Sequence, residues 1–204
     1  MHTQFMLDFP WKRIIHAWPQ LAMAAVQPLS GGLINRTLRI SARDGRNYVL
    51  QWLNPVFPPT VSADVAAVTK HMEQTGIITF SVIPTQNGEF YIPHETGSFR
   101  LLSYLEGDFL TPAETSDAGA FLAVFHRVMA DFPHVFSHDR NIHRPREHAR
   151  HLRETLQKHR EHRLFDAVQE LAKDALEHLE LHPGWEGLPQ RIVHGDPKLE
   201  NFWR

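Results

Sequence analysis

The apolar residues of this chain change their period once, near residue 110, and no other feature constrains the fold class as strongly. Before that point short apolar or alternating runs are punctuated by turn residues, and after it apolar residues recur at helical spacing. The pattern predicts an α+β chain: an antiparallel sheet lobe over residues 1–106, then a partial, mainly helical lobe over residues 107–204.

Within the first part, Leu38 to Ser41 and Tyr48 to Leu53 flank Arg43-Asp44-Gly45-Arg46, which predicts a hairpin. Asn54 to Pro59, with three prolines, ends the second strand. Val61, Val65, Val68 and Met72 then recur at helical spacing and predict a helix over 61–74, stopped by Gly76. Phe80 to Pro84 and Phe90 to Ile92 bracket Gln86-Asn87-Gly88-Glu89, the signature of a second hairpin, and Phe99 to Leu105 reads as a further strand. In the second part, Asp117 to Ala130 carries Phe121, Val124, Phe125 and Val128 on one core-facing stripe. One long helical pattern follows from Pro145 to Leu181, solvated in its first half. Its second half turns Leu164, Val168, Leu171, Ala175 and Leu179 toward a core, and His182-Pro183-Gly184 ends it.

Composition removes several function classes. A net charge of -2 argues against nucleic acid or an anionic membrane as a partner. The absence of cysteine excludes a disulfide framework and thiolate chemistry. Met1 to Trp11 lacks the features of a secretory signal, and no apolar run approaches the ~20 residues of a membrane span, so a cytoplasmic protein is expected. Of the fifteen histidines, nine lie between His134 and His182 among Arg and Glu, without an HExxH pair, and read as a solvated helical face rather than a metal site.

Two motifs carry chemistry. Ser30-Gly31-Gly32-Leu33-Ile34-Asn35 precedes the first hairpin, and adjacent glycines there let backbone amides approach phosphate oxygens; no Gly-Lys-Ser/Thr follows, so this is not a Walker A loop. The second is more specific. In Val193-His194-Gly195-Asp196-Pro197-Lys198-Leu199-Glu200-Asn201, the Asp, the Lys two residues on and the Asn five residues on keep the offsets of a phosphoryl-transfer catalytic loop. Asp196 would accept the substrate hydroxyl proton, Lys198 would meet the transferring phosphate, Asn201 would hold a metal ion, and His194 would brace the loop. Arg191 to Val193 would be the strand that feeds it.

On these residues the chain resembles the aminoglycoside phosphotransferase and choline kinase superfamily, whose catalytic loop reads His-Gly-Asp with Asn five residues after the Asp. Gly31-Gly32-Leu33-Ile34-Asn35 with Thr37, Tyr48-Val49-Leu50-Gln51 with Leu53-Asn54, and Val68-Thr69-Lys70-His71 are similar to its N-acetylhexosamine 1-kinase branch. The resemblance implies a protein-kinase-like two-lobe fold, ATP and Mg2+. It places adenine at the Ser103 to Gly107 connection, through Ser103, Tyr104 and Leu105, and the phosphates at Ser30, Gly31, Gly32, Asn35 and Gln51. A sugar or amino-alcohol hydroxyl would be presented to Asp196. Gln51 stands where protein kinases keep a lysine, so Arg39, Lys70 or the metal would neutralise the phosphates. The superfamily follows this loop with an Asp-bearing strand and further helices, whereas Arg204 is the last residue, so the chain is expected to be incomplete and inactive by itself. The alternative is a non-catalytic nucleotide-binding or interaction module that keeps the loop as a relic. Oligomeric state and acceptor identity stay open.

Overall fold

The computed structural model describes residues 11–21, 25–29, 34–138, 144–181, 189 and 191–204. They fall into two compact units: the described residues up to His138 together with Arg191–Arg204, and the helices between. The expected boundary at residue 106 separates lobes by role and is a different division.

The first unit is built on a six-stranded antiparallel sheet in the order β1-β2-β3-β6-β4, with β5 also paired to β6. β1 is Ala25–Leu29, β2 Arg36–Ser41, β3 Asn47–Leu53, β4 Val82–Ile83, β5 Ile92–His94 and β6 Gly97–Ser103. The β2–β3 hairpin forms where the sequence predicts it, closed by Ala42 N–H to Arg46 O (2.9 Å) and Gly45 N–H to Ala42 O (3.1 Å). Register sorts the side chains into two faces. Leu38, Ile40, Tyr48, Leu50, Phe99 and Leu101 share one face and bury against Ile15, Trp18 and Leu21. Those three lie in and between the two 3-10 turns, Ile15–Ala17 and Pro19–Leu21, that follow a helical turn α1 (Trp11–Ile14), a layer with no counterpart in the sequence expectation. Trp18 is fully buried and donates its indole N–H to Ile83 O (2.9 Å).

The opposite face carries Val49, Gln51, Leu102 and Arg100. On it Ala66 of α2 (Val61–Gln74) packs with Val82 and Leu102. α2 matches its predicted bounds. Of the apolar stripe that made the helical period legible, Val61 is buried and Val65, Val68 and Met72 are half-buried.

Two strand expectations need correction. The Gln86–Glu89 turn exists, with Thr85 N–H to Glu89 O at 2.8 Å, but β4 and β5 do not pair with each other. Both take the free edge of β6, β4 against Leu101 and Leu102, β5 against Gly97 to Phe99. β6 is the longer and more apolar partner, and the tight hairpin lies at Glu95-Thr96 instead. β6 also ends at Ser103 rather than Leu105.

α3 runs over Thr115–Met129 and buries Ala118, Phe125 and Met129. Phe121, expected in the core, is nearly half exposed and lies edge-on to Phe202. In the second unit the single helix expected over 145–181 is two, α4 (Pro145–Lys158) and α5 (Phe165–Leu181), which pack on each other through the small buried residues Ala149 and Ala172. Turning the chain back gives each helix a partner that one long rod would lack. The stripe expected in a core is at the surface: Leu164, Val168, Leu171 and Leu179 are exposed, Leu171 to 71%. His182-Pro183-Gly184 lies outside the described residues. No described helix is long and apolar enough to cross a membrane.

Candidate active site

The loop Asp196 to Asn201 closes on itself. Gly195 adopts φ +82°, a left-handed conformation that favours glycine, and it turns the chain so that Lys198 N–H reaches Asp196 O (2.9 Å). A 3-10 turn over Leu199–Asn201 then brings the Asn201 side chain back over the aspartate. Its Nδ2 donates to the Asp196 backbone oxygen (2.7 Å) and to Asp196 Oδ2 (3.1 Å), and Lys198 Nζ lies 3.7 Å from the same Oδ2. The structure thus gathers the three residues singled out by spacing. Asp196 and Lys198 stay open to solvent, their side chains 66% and 56% exposed.

Aromatic packing holds the loop. His194 stacks on Phe202 (centroids 5.8 Å apart, planes at 19°), meets Phe125 edge-on (6.1 Å), and accepts the Asp196 N–H through Nδ1 (3.3 Å). It therefore braces Asp196 from behind, with its ring among aromatic side chains. Phe202 is buried, and Trp203 pairs with Phe109 in an isolated β-bridge. Backbone bonds from Arg204 to Asp108 O (3.0 Å) and from Leu110 to Phe202 O (3.1 Å) flank it. The segment after the Asp196 to Asn201 loop is thereby stitched to the segment after β6. Arg204 also pairs with Glu114. The Thr111 backbone N–H, then its hydroxyl, then Arg204 hold that carboxyl below the usual range. Arg191 to Val193 forms no strand, and Val193 is 60% exposed.

On the sheet, Gln51 and Arg100 stand directly opposite each other across β3 and β6. Arg100 donates Nε (3.0 Å) and Nη2 (2.7 Å) to Gln51 Oε1. Arg39, one alternative for phosphate neutralisation, is engaged at the connection: its guanidinium lies over Tyr104 (4.4 Å) and 3.8 Å from Glu106. Lys70, the other, is exposed on α2. Glu106 also accepts from Asn47 Nδ2 (3.4 Å). Ser103 accepts the Ser81 N–H on Oγ (2.8 Å), and Leu105 is half-buried. Ser103, Tyr104 and Glu106 border an open hollow of about 420 Å3 with Arg46, Tyr48 and Ile83, on the Tyr48 side of the sheet rather than the Gln51 side. Asn35 spends its Oδ1 on the Asn54 N–H (3.1 Å), bracing the turn after β3. Ser30, Gly31 and Gly32 lie outside the described residues.

Among the described residues no group of three or more His, Asp or Glu is placed to hold a metal. The expectation of a solvated helical face fails for His134, which sits in the loop after α3 and donates Nε2–H to the buried Asp64 (2.8 Å). Ser137 adds its N–H (3.1 Å) and hydroxyl (2.8 Å). Burial alone would raise the Asp64 carboxyl, but these hydrogen bonds outweigh it and hold the carboxyl below the usual range. Sequence reasoning missed Arg100 and Phe202. For Arg100 a signal existed, the only charge in the strand Gly97–Ser103.

The family model described as "Phosphotransferase enzyme family" matches residues 25–203. Three solved structures share the fold. An aminoglycoside phosphotransferase from Alicyclobacillus acidocaldarius superposes with a TM-score of 0.52 at 19% identity, covering 82% of this chain and 52% of that one. An amicoumacin kinase in complex with AMP-PNP and Ca2+ gives 0.55 at 13% identity, over 79% and 57%. A spectinomycin phosphotransferase in complex with ADP and spectinomycin gives 0.53 at 13%, over 95% and 64%. The chain spans roughly half to two thirds of the length of these structures. At such identities the likeness speaks for the protein-kinase-like fold alone.

Proposed function

The chain belongs to the phosphotransferase enzyme family, and from that premise we propose that it carries the catalytic loop of an ATP-dependent kinase whose acceptor is a hydroxyl of a small molecule. The observation that carries this reading is the meeting of Asp196, Lys198 and Asn201 within one loop. Phosphoryl transfer asks a protein for positioning and charge neutralisation more than for covalent chemistry, and a carboxylate, an ammonium and an amide in one cluster suit both demands. Asp196 takes the proton of the acceptor hydroxyl as its oxygen bonds to the γ-phosphorus. The bond from that phosphorus to the β-γ bridging oxygen breaks, and its electron pair leaves with ADP. Lys198 stays beside the transferring phosphoryl group, and His194 keeps Asp196 in place.

Asn201 would hold a divalent cation such as Mg2+ through Oδ1, because Nδ2 is donated to Asp196; such an ion supplies charge neutralisation to the phosphates. One amide oxygen beside a carboxylate fits a hard cation that keeps phosphate and water oxygens as its other ligands. In this reading backbone groups of Ser103, Tyr104 and Leu105 take the base, and Ser30, Gly31, Gly32 and Asn35 with Gln51 face the phosphates. The acceptor class is a sugar or amino-alcohol, and the narrower reading is a sugar 1-kinase of the N-acetylhexosamine type. A cytoplasmic setting suits a reaction that consumes ATP.

The test is ADP release with ATP and a panel of amino sugars, amino-alcohols and aminoglycosides, in the protein that carries this chain and in its Asp196→Asn variant. One acceptor class should stimulate release, and the substitution should lower turnover by at least about 100-fold while ATP still binds. Undiminished turnover in Asp196→Asn would overturn the assignment.

A further inference from the structure

We propose that Arg100 is a positioning residue for Gln51, and that the two side chains together form the charged contact to the nucleotide phosphates that kinases commonly draw from a single lysine. The inference rests on the reading that this chain binds ATP.

Gln51 and Arg100 are register partners on neighbouring strands, which puts their side chains together on the sheet face that also carries Val49 and Leu102. Both guanidinium bonds, at 3.0 and 2.7 Å, converge on one atom of Gln51, and only the amide oxygen can accept them. The amide orientation is therefore decided by chemistry: Oε1 faces the cation, and the Nε2 hydrogens point away from it. A carbonyl bound to a cation polarises its amide, so these N–H groups become stronger donors to an anion. The full charge lies one amide group behind them.

In protein kinases a third-strand lysine is held by a glutamate on the helix packed over the sheet. Here the two carboxylates of α2 serve elsewhere, Asp64 accepting from His134 and Ser137, and Glu73 accepting from the Ser81 hydroxyl (3.0 Å). The cation has moved from the third strand to the neighbouring one, and the third strand keeps an uncharged relay. Arg100, half-buried on the face opposite to Phe99 and Leu101, carries a desolvation cost that a hydrocarbon would not. A role toward a polyanion accounts for keeping it.

Calorimetric titration of ATP and of adenosine, beside thermal unfolding, separates this role from a structural one. Gln51→Glu converts the pair into a salt bridge: the fold is kept, but the charge is cancelled. ATP affinity should fall about tenfold or more, with adenosine affinity and melting temperature maintained. Arg100→Met should show the same selective loss, and Gln51→Lys added to Arg100→Met should restore ATP binding. If Gln51→Glu binds ATP as the unsubstituted chain does, the inference fails while the kinase reading stands. Equal losses for ATP and adenosine in Arg100→Met would make Arg100 purely structural and also overturn it. Failure of the unsubstituted chain to bind ATP would remove the kinase reading and the inference with it.

Discussion

In the proposed site His194 is a positioning group rather than a reacting one. Its ring is stacked on Phe202 while Nδ1 accepts the Asp196 N–H, so packing and polar positioning can be separated by substitution. His194→Phe keeps an aromatic ring and loses the acceptor; it should retain most of the melting temperature and lower turnover several-fold without changing ATP affinity, since one hydrogen bond is worth about 1 kcal/mol. His194→Ala should lose both, and equal turnover in the two variants would argue against a bracing role. At this scale the sequence was informative where a candidate site lies within a few consecutive residues. Asp196, Lys198 and Asn201 meet because their offsets within one loop dictate it. Arg100 and Gln51 lie 49 positions apart, and only strand register brings them together.

Elements carry that positioning outward. Phe202 fills the space between α3 and the catalytic loop, touching Phe121 and His194 while almost fully buried. Phe202→Ala should cost about 3–5 kcal/mol in chemical unfolding. Gly107 has φ +138°, and a Cβ there would stand 2.3 Å from the Arg204 carbonyl oxygen. Gly107→Ala should therefore break the Phe109–Trp203 bridge and cost about 1–3 kcal/mol, with a larger loss of turnover than of ATP affinity; a neutral result would show that the segments need not be so close. The strands and α2 were legible because local patterning decides them. The Glu95-Thr96 hairpin was not, because its turn is made possible by the Gly97 that follows and by the pull of β6, while the Asn-Gly signal at Asn87-Gly88 makes only a turn between two strands with the same partner. The division of α4 from α5 was hidden for a related reason: no glycine or proline marks it, and the gain comes from packing the two helices together.

At the scale of the molecule, Asp64 ties α2 to the loop after α3 through His134 and Ser137. His71 reinforces the tie by donating Nε2–H to Val128 O (3.0 Å) and stacking on Phe132 (4.4 Å). The folded Asp64 carboxyl lies below its unfolded value near 4, so its contribution is fully present above that value and is lost as the pH falls through the lowered one. Unfolding measured from pH 7 to pH 2 should show a loss of stability below about pH 4 that Asp64→Ala flattens, at a cost of about 2–3 kcal/mol at pH 7. An unchanged slope would assign the acid sensitivity to other carboxylates. Above this network stands the claim that the sheet and the catalytic loop together bind a nucleotide with its metal. Calorimetric titration of ATP into the chain and into Asn201→Ala, each with and without Mg2+, tests it most directly. The account predicts binding that Mg2+ tightens in the unsubstituted chain, with that increment lost in Asn201→Ala. Absence of binding, or an affinity indifferent to both Mg2+ and Asn201, would contradict it.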